Sequence, residues 1–161
     1  MKLVSSLVSF NGLAERFANP LSSLLLLGTR LYVSWQFLKS GFLKIGDWDT
    51  TLLLFQEEYH VPVLPPAIAA VAGTTGELLF PALLVVGLAT RYAALGLSAV
   101  NIMAVVSYAQ VLLAEGSEAA LGQHELWGFM LLVILVFGPG SLSADALLQR
   151  THAAGRSPTA R

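Results

Sequence analysis

The chain has 161 residues, enough for one domain, and a net charge of −1, so no global field recruits nucleic acid or an anionic surface. Charged residues make up 12% against 55% hydrophobic ones, and the mean hydropathy is +0.70, which points to an integral membrane protein. There is no cysteine, which excludes disulfides, thiol redox chemistry, and cysteine-ligated metal or iron–sulfur centres.

In chain order, residues 1–20 come first. Leu3, Val4, Leu7, Val8, Phe10, Leu13, Ala14 and Phe17 recur at helical spacing, while Ser5, Ser6, Ser9 and Asn11 break any signal-peptide core. This predicts an amphipathic helix lying in the membrane interface and ending before Pro20. Residues 21–148 then hold four apolar runs, at about 21–45, 66–88, 91–113 and 124–138. Each approaches or reaches the roughly 20 residues that cross a hydrocarbon core. In lipid, irregular backbone cannot be exposed, so the runs are expected to be helices. The predicted fold is all-α, a four-transmembrane-helix bundle preceded by the interfacial helix. Between the first two runs, residues 46–64 read as an outer loop with Trp48, Tyr59 and His60, able to pack over the bundle mouth. Residues 149–161 read as a disordered basic tail.

Loop charges orient the chain. Lys2, Arg16, Arg91, Arg150, Arg156 and Arg161 fall on one side, opposite a side rich in Asp and Glu, so both termini are expected in the cytoplasm. Trp35, Trp48, Tyr59 and Trp127 fall toward the outer side, as an aromatic belt does.

Glu77 stands about eleven residues into the second run, near the bilayer midplane, where a lone carboxylate is costly. Arg30, about nine residues into the antiparallel first run, is the expected partner. Asn101 lies at similar depth in the third run. His124 and Trp127 share a face at the outer start of the fourth, with Gly128 one turn on. Ser34, Gly41, Gly73, Thr74 and Ser98 extend these faces with small or polar groups. Arg30, Glu77, Asn101, His124 and Trp127 thus form the candidate ligand or proton site, with Ser34 and Thr74 secondary. An Arg–Glu pair that only fixes helix register is the structural alternative, as interhelical hydrogen bonding is for Asn101 and interface anchoring for Trp127. No residue is singled out as catalytic, and no spacing suits a metal.

The segments GFLKI (41–45), GELLFPALLVVGLATRYAAL (76–95) and HELWGFMLLVILVFGPGSLSADAL (124–147), in this order, resemble the DoxX family. The resemblance implies a small four-helix protein of the bacterial inner membrane. Some members resemble the small subunit of a thiosulfate:quinone oxidoreductase, and others associate with oxidative-stress proteins. It also implies that Arg30, Lys44, Glu77 and His124 occupy the family's recurrent polar positions. Ser143-Ala144-Asp145 departs slightly from a common serine–leucine–aspartate run. The expected function is a membrane subunit of a quinone-linked redox or oxidative-stress complex, with quinone as the candidate ligand. The chain is then no enzyme on its own, because it lacks flavin, haem and iron–sulfur motifs. Its partners are the bilayer and either other redox proteins or further copies of itself. The alternative is a small-solute permease or assembly factor whose polar cluster is structural.

Overall fold

A computed structural model describes the backbone of residues 2–154 and the side chains of residues 20–153. Among the described residues all regular structure is helical: α1 (Lys2–Gly46), α2 (Trp48–Glu57), α3 (Pro66–Val86), α4 (Thr90–Ser107), α5 (Ala109–Leu112), α6 (Glu118–Phe137) and α7 (Ala144–Ala154). The termini of these elements follow from local chemistry. Asp47 caps α2, its carboxylate accepting from the Thr50 backbone N–H at 3.0 Å and the Thr50 hydroxyl at 2.7 Å. Pro66 opens α3, where a missing N–H costs nothing. Gly87 closes it in the left-handed region (φ 74°), its N–H returning to the carbonyls of Leu83 and Leu84.

The four long helices pack in a ring: α1 on α3, α3 on α4, α4 on α6, and α6 back on α1. The core between them is Val33, Phe37, Leu84, Ala93, Ala94, Leu97, Leu131 and Ile134. A second cluster of Phe55, Ala69 and Ala70 fastens α2 to the first half of α3. Large apolar side chains such as Leu79, Ile102, Phe129 and Leu132 face outward, the surface a helix offers to acyl chains. Among the described residues, three helices are long and apolar enough to cross a membrane: Pro66–Val86, Thr90–Ser107 and Glu118–Phe137.

Several expectations change. The described part of α1 is not among these candidate spans; it carries Arg30, Lys39 and Lys44 beside Ser34, Gln36 and Ser40. The helix runs unbroken through Pro20, where the sequence pattern predicted an end. The interfacial stripe predicted for residues 1–19 concerns side chains outside those described. The expected outer loop contains α2, because Asp47 restarts a helix immediately after Gly46. The third run stops at Ser107 rather than 113, and the fourth begins at Glu118 rather than 124. The tail predicted to be disordered from 149 is helical to Ala154, and its remainder lies outside the described residues.

Candidate functional site

Arg30 and Glu77 do not meet. Arg30, only 1% exposed, turns toward the end of the ring where α3 and α6 both finish. Its Nε donates to Leu84 O at 2.9 Å, Nη2 to Val85 O at 3.3 Å, and Nη1 to Leu142 O at 3.2 Å and to Pro139 O. A helix leaves its last carbonyls without intrahelical donors and carries partial negative charge there, so a guanidinium satisfies both needs. Gly87 makes the approach possible: a Cβ there would stand 2.7 Å from Arg30 Nη2 and 2.6 Å from Ser143 Cβ. Asp145 completes this junction, its carboxylate accepting from the backbone N–H groups of Ala89 (2.8 Å) and Thr90 (2.9 Å) at the start of α4. Burial opposes ionisation of Asp145, but the hydrogen bonds from Thr90 and Ala89, with the field of Arg30, hold it below the usual carboxylate range.

The cation that meets Glu77 is Lys44. Its Nζ lies 2.7 Å from each carboxylate oxygen and donates to Ser40 Oγ at 2.8 Å. Gly41, on the same face of α1, lets the helices close at this level: a Cβ there would stand 2.7 Å from Leu78 Cδ2 and 3.4 Å from the Glu77 backbone carbon. The sequence estimate of depth failed because it took α1 and α3 as paired over their full lengths. In fact α2 occupies the first half of α3, so the end of α1 sits beside the middle of α3. Residue 44 is then level with 77, and residue 30 with the end of α3. The i,i+4 spacing of Ser40, just before GFLKI, and Lys44 within it was the sequence signal that Lys44 points inward.

Asn101, His124 and Trp127 do come together. Asn101 Nδ2 donates to the His124 carbonyl at 2.9 Å, and Asn101 Oδ1 lies 2.8 Å from His124 Nδ1. Gly128, one turn beyond, leaves room for the Asn101 amide. The His124 ring packs edge-on against Trp127 (4.8 Å between centroids), and Trp127 against Phe37 (5.5 Å). Ser34 and Thr74 are buried, and their hydroxyls have no hydrogen-bond partner among the described residues.

A cavity of about 500 Å³ joins the Lys44–Glu77 pair to this group. Phe37, Phe55, Phe80 and Trp127 supply aromatic walls, Ala69, Ala72, Gly73 and Gly96 a narrow apolar floor, and Gln36, Ser40, Lys44, Glu77, Tyr59 and His124 the polar groups. Arg30, Ser34, Thr74 and Asn101 lie outside it. Gln36, Ser40, Tyr59, Ser107 and Tyr108 are polar cavity residues that sequence reasoning missed as site residues, as it missed the Phe37, Phe55 and Phe80 walls.

The segment after α2 forms one side of the opening. Tyr59 stacks edge-on between Phe55 (4.9 Å) and Tyr108 (5.1 Å). Gln110 donates to Glu58 O at 2.6 Å and meets His60 Nδ1 at 3.1 Å, while the His60 N–H reaches Ser107 O at 2.8 Å. These contacts fasten the α2–α3 connection to α4 and α5. Burial first, then Tyr108 and the carboxylates of Glu77 and Glu58, push the Tyr59 phenol up, which keeps it a neutral hydroxyl.

Comparison with known proteins gives a consistent result. A family model described as DoxX matches residues 25–110. An uncharacterized protein of Haemophilus influenzae is 28% identical over 138 residues, covering 81% of this chain and 87% of its own. No solved structure matches the chain.

Proposed function

The chain belongs to the DoxX family, and from that premise we propose that it is a membrane subunit of a quinone-linked redox or oxidative-stress complex, its cavity holding the ring of a quinone-class molecule. In this reading α1, α3, α4 and α6 all cross a bacterial inner membrane with both termini in the cytoplasm. Electrons reach or leave the ring through a partner protein.

The observation that carries the reading is the cavity itself: about 500 Å³, walled by aromatic rings, with one ion pair, one imidazole, one amide and a few hydroxyls as its polar points. That volume suits a substituted ring and excludes a large cofactor, and an apolar chamber with few polar groups is how small lipophilic ligands are oriented. Four aromatic walls favour a flat π-system over an aliphatic solute. Glu77 and Lys44 neutralise each other, so the site attracts neither ion and suits an uncharged guest. Arg30, held by four carbonyls, belongs to the structural junction and not to this site.

Titration of the purified chain with tert-butylbenzoquinone, followed by quenching of tryptophan fluorescence, tests the proposal. Saturable binding in the micromolar range, on the order of −8 kcal/mol or weaker, is expected for a ligand of this size. Gly73→Leu puts a side chain into the cavity, and its Cβ meets only the Phe55 ring, at 3.5 Å, an ordinary contact. Binding abolished in that folded variant supports the site. Unchanged binding in it, or no saturable binding of either the quinone or its hydroquinone in the wild type, returns the polar cluster to a structural role.

A further inference from the structure

The cavity's histidine has its proton placed by a residue outside the cavity. The His124 carbonyl can only accept, so the Asn101 atom 2.9 Å away is the amide nitrogen. The other end of that amide is therefore Oδ1, which also only accepts, and it lies 2.8 Å from His124 Nδ1. Nδ1 must carry a hydrogen. In the neutral ring Nε2 is then a bare lone pair, and it has no partner among the described residues. His124 lines the cavity and Asn101 does not.

The same bias recurs at the ion pair. The three ammonium hydrogens of Lys44 are directed to Ser40 Oγ and the two Glu77 oxygens, so none is left for a ligand carbonyl. What Glu77 still offers is acceptor capacity. Ser40 and Tyr59 present hydroxyls and Gln36 an amide, which donate and accept alike and so do not discriminate. The two groups that do discriminate, Nε2 and the carboxylate, both ask for a donor.

Resting on the quinone-class reading above, we infer that the cavity selects a ring that carries hydroxyl groups, a hydroquinone or similar phenol, over its quinone or ether counterparts. The ligand O–H donates to His124 Nε2. Asn101 is the positioning residue: it touches no ligand and acts by holding the imidazole in one tautomer. A quinone carbonyl or aryl ether at the same place sets acceptor against acceptor, and a site built around a hydroxyl rejects analogues lacking it.

The experiment uses the full chain in detergent, anaerobically, at about pH 8, above the ordinary range of imidazole titration. Tryptophan fluorescence reports binding of tert-butylhydroquinone, tert-butylbenzoquinone and the dimethyl ether of the hydroquinone. The wild type is expected to prefer the hydroquinone by about tenfold or more, the equivalent of one net hydrogen bond. His124→Phe keeps the aromatic contact with Trp127 and is expected to bring that ratio close to one. Asn101→Leu is expected to lower it while leaving the cavity lining intact. Nitrogen-15 NMR of the wild-type His124 ring reads the tautomer directly and does not depend on any variant folding. Equal affinities for the three rings, an unchanged ratio in His124→Phe, or a protonated Nε2 beside a bare Nδ1 each overturn the inference and leave the quinone-class reading standing. Failure of all three rings to bind removes both.

Discussion

Deleting one member of the Lys44–Glu77 pair is expected to destabilise the fold more than deleting both. Nζ sits 2.7 Å from both carboxylate oxygens, and the two side chains keep only 15% and 10% of their surface. At that burial water screens little, and the loss of one partner leaves an uncompensated charge, at a cost of about 3–5 kcal/mol. Glu77→Gln retains an acceptor for the ammonium, which places it near the lower end, at about 3 kcal/mol. For a chain of this length that lowers the unfolding midpoint by roughly 6–12 °C. Lys44→Met combined with Glu77→Met removes both charges and keeps unbranched side chains of useful volume, so most of the loss is recovered. The double-mutant cycle should return a coupling of roughly 2 kcal/mol or more. The assay is thermal unfolding of the detergent-solubilised protein, followed by far-ultraviolet circular dichroism. Additive single losses would refute the reasoning, as would a cycle in which Glu77 couples to Arg30 instead of Lys44.

Two further outcomes follow from the junction at the other end of the ring. Arg30→Met strips donors from the carbonyls of Leu84, Val85, Pro139 and Leu142, and should cost about 3–5 kcal/mol in the same melt. Arg30→Lys should not rescue it, because three ammonium hydrogens on a point charge cannot span four carbonyls. Quinone affinity of the folded fraction should stay within about twofold, and a larger change would place Arg30 in the site after all. Asp145 gives a pH signature. Its carboxyl is held below the usual range in the fold, so its contribution is complete above the ordinary carboxylate pKa and disappears as pH falls through the folded value. The wild-type midpoint should therefore drop more steeply than that of Asp145→Asn between about pH 5 and pH 2. Parallel curves for the two proteins would remove Asp145 from the junction.

Much of this protein was legible in its residue pattern. Apolar runs interrupted by Pro65-Pro66, Gly87 and Gly138 could only be helices in lipid, and they appear as α3, α4 and α6 with ends shifted by a few residues. Asn101 was picked out by type and depth, and His124 and Trp127 by their shared face at the start of the fourth run; the packed chain brings the three together. Lys44 was visible as a polar position, yet its role was not. Each of these readings depends on local information: hydrophobicity along one segment, a cap, or the cost of a polar group within one span.

Pairing between segments is a different kind of quantity. Whether Glu77 meets Arg30 or Lys44 depends on how far α1 slides along α3, and that offset is set by α2, a short helix that Asp47 starts inside what the pattern read as a loop. One added helix moved the level of α1 against α3 and exchanged the partner of Glu77, the one buried carboxylate among the described residues. The sequence alone determined that these helices belong in a membrane and that their ionisable groups must find one another. Which groups meet was decided only by tertiary packing, because an ion pair forms between residues at equal height, and height is a property of the assembled helices rather than of any one of them.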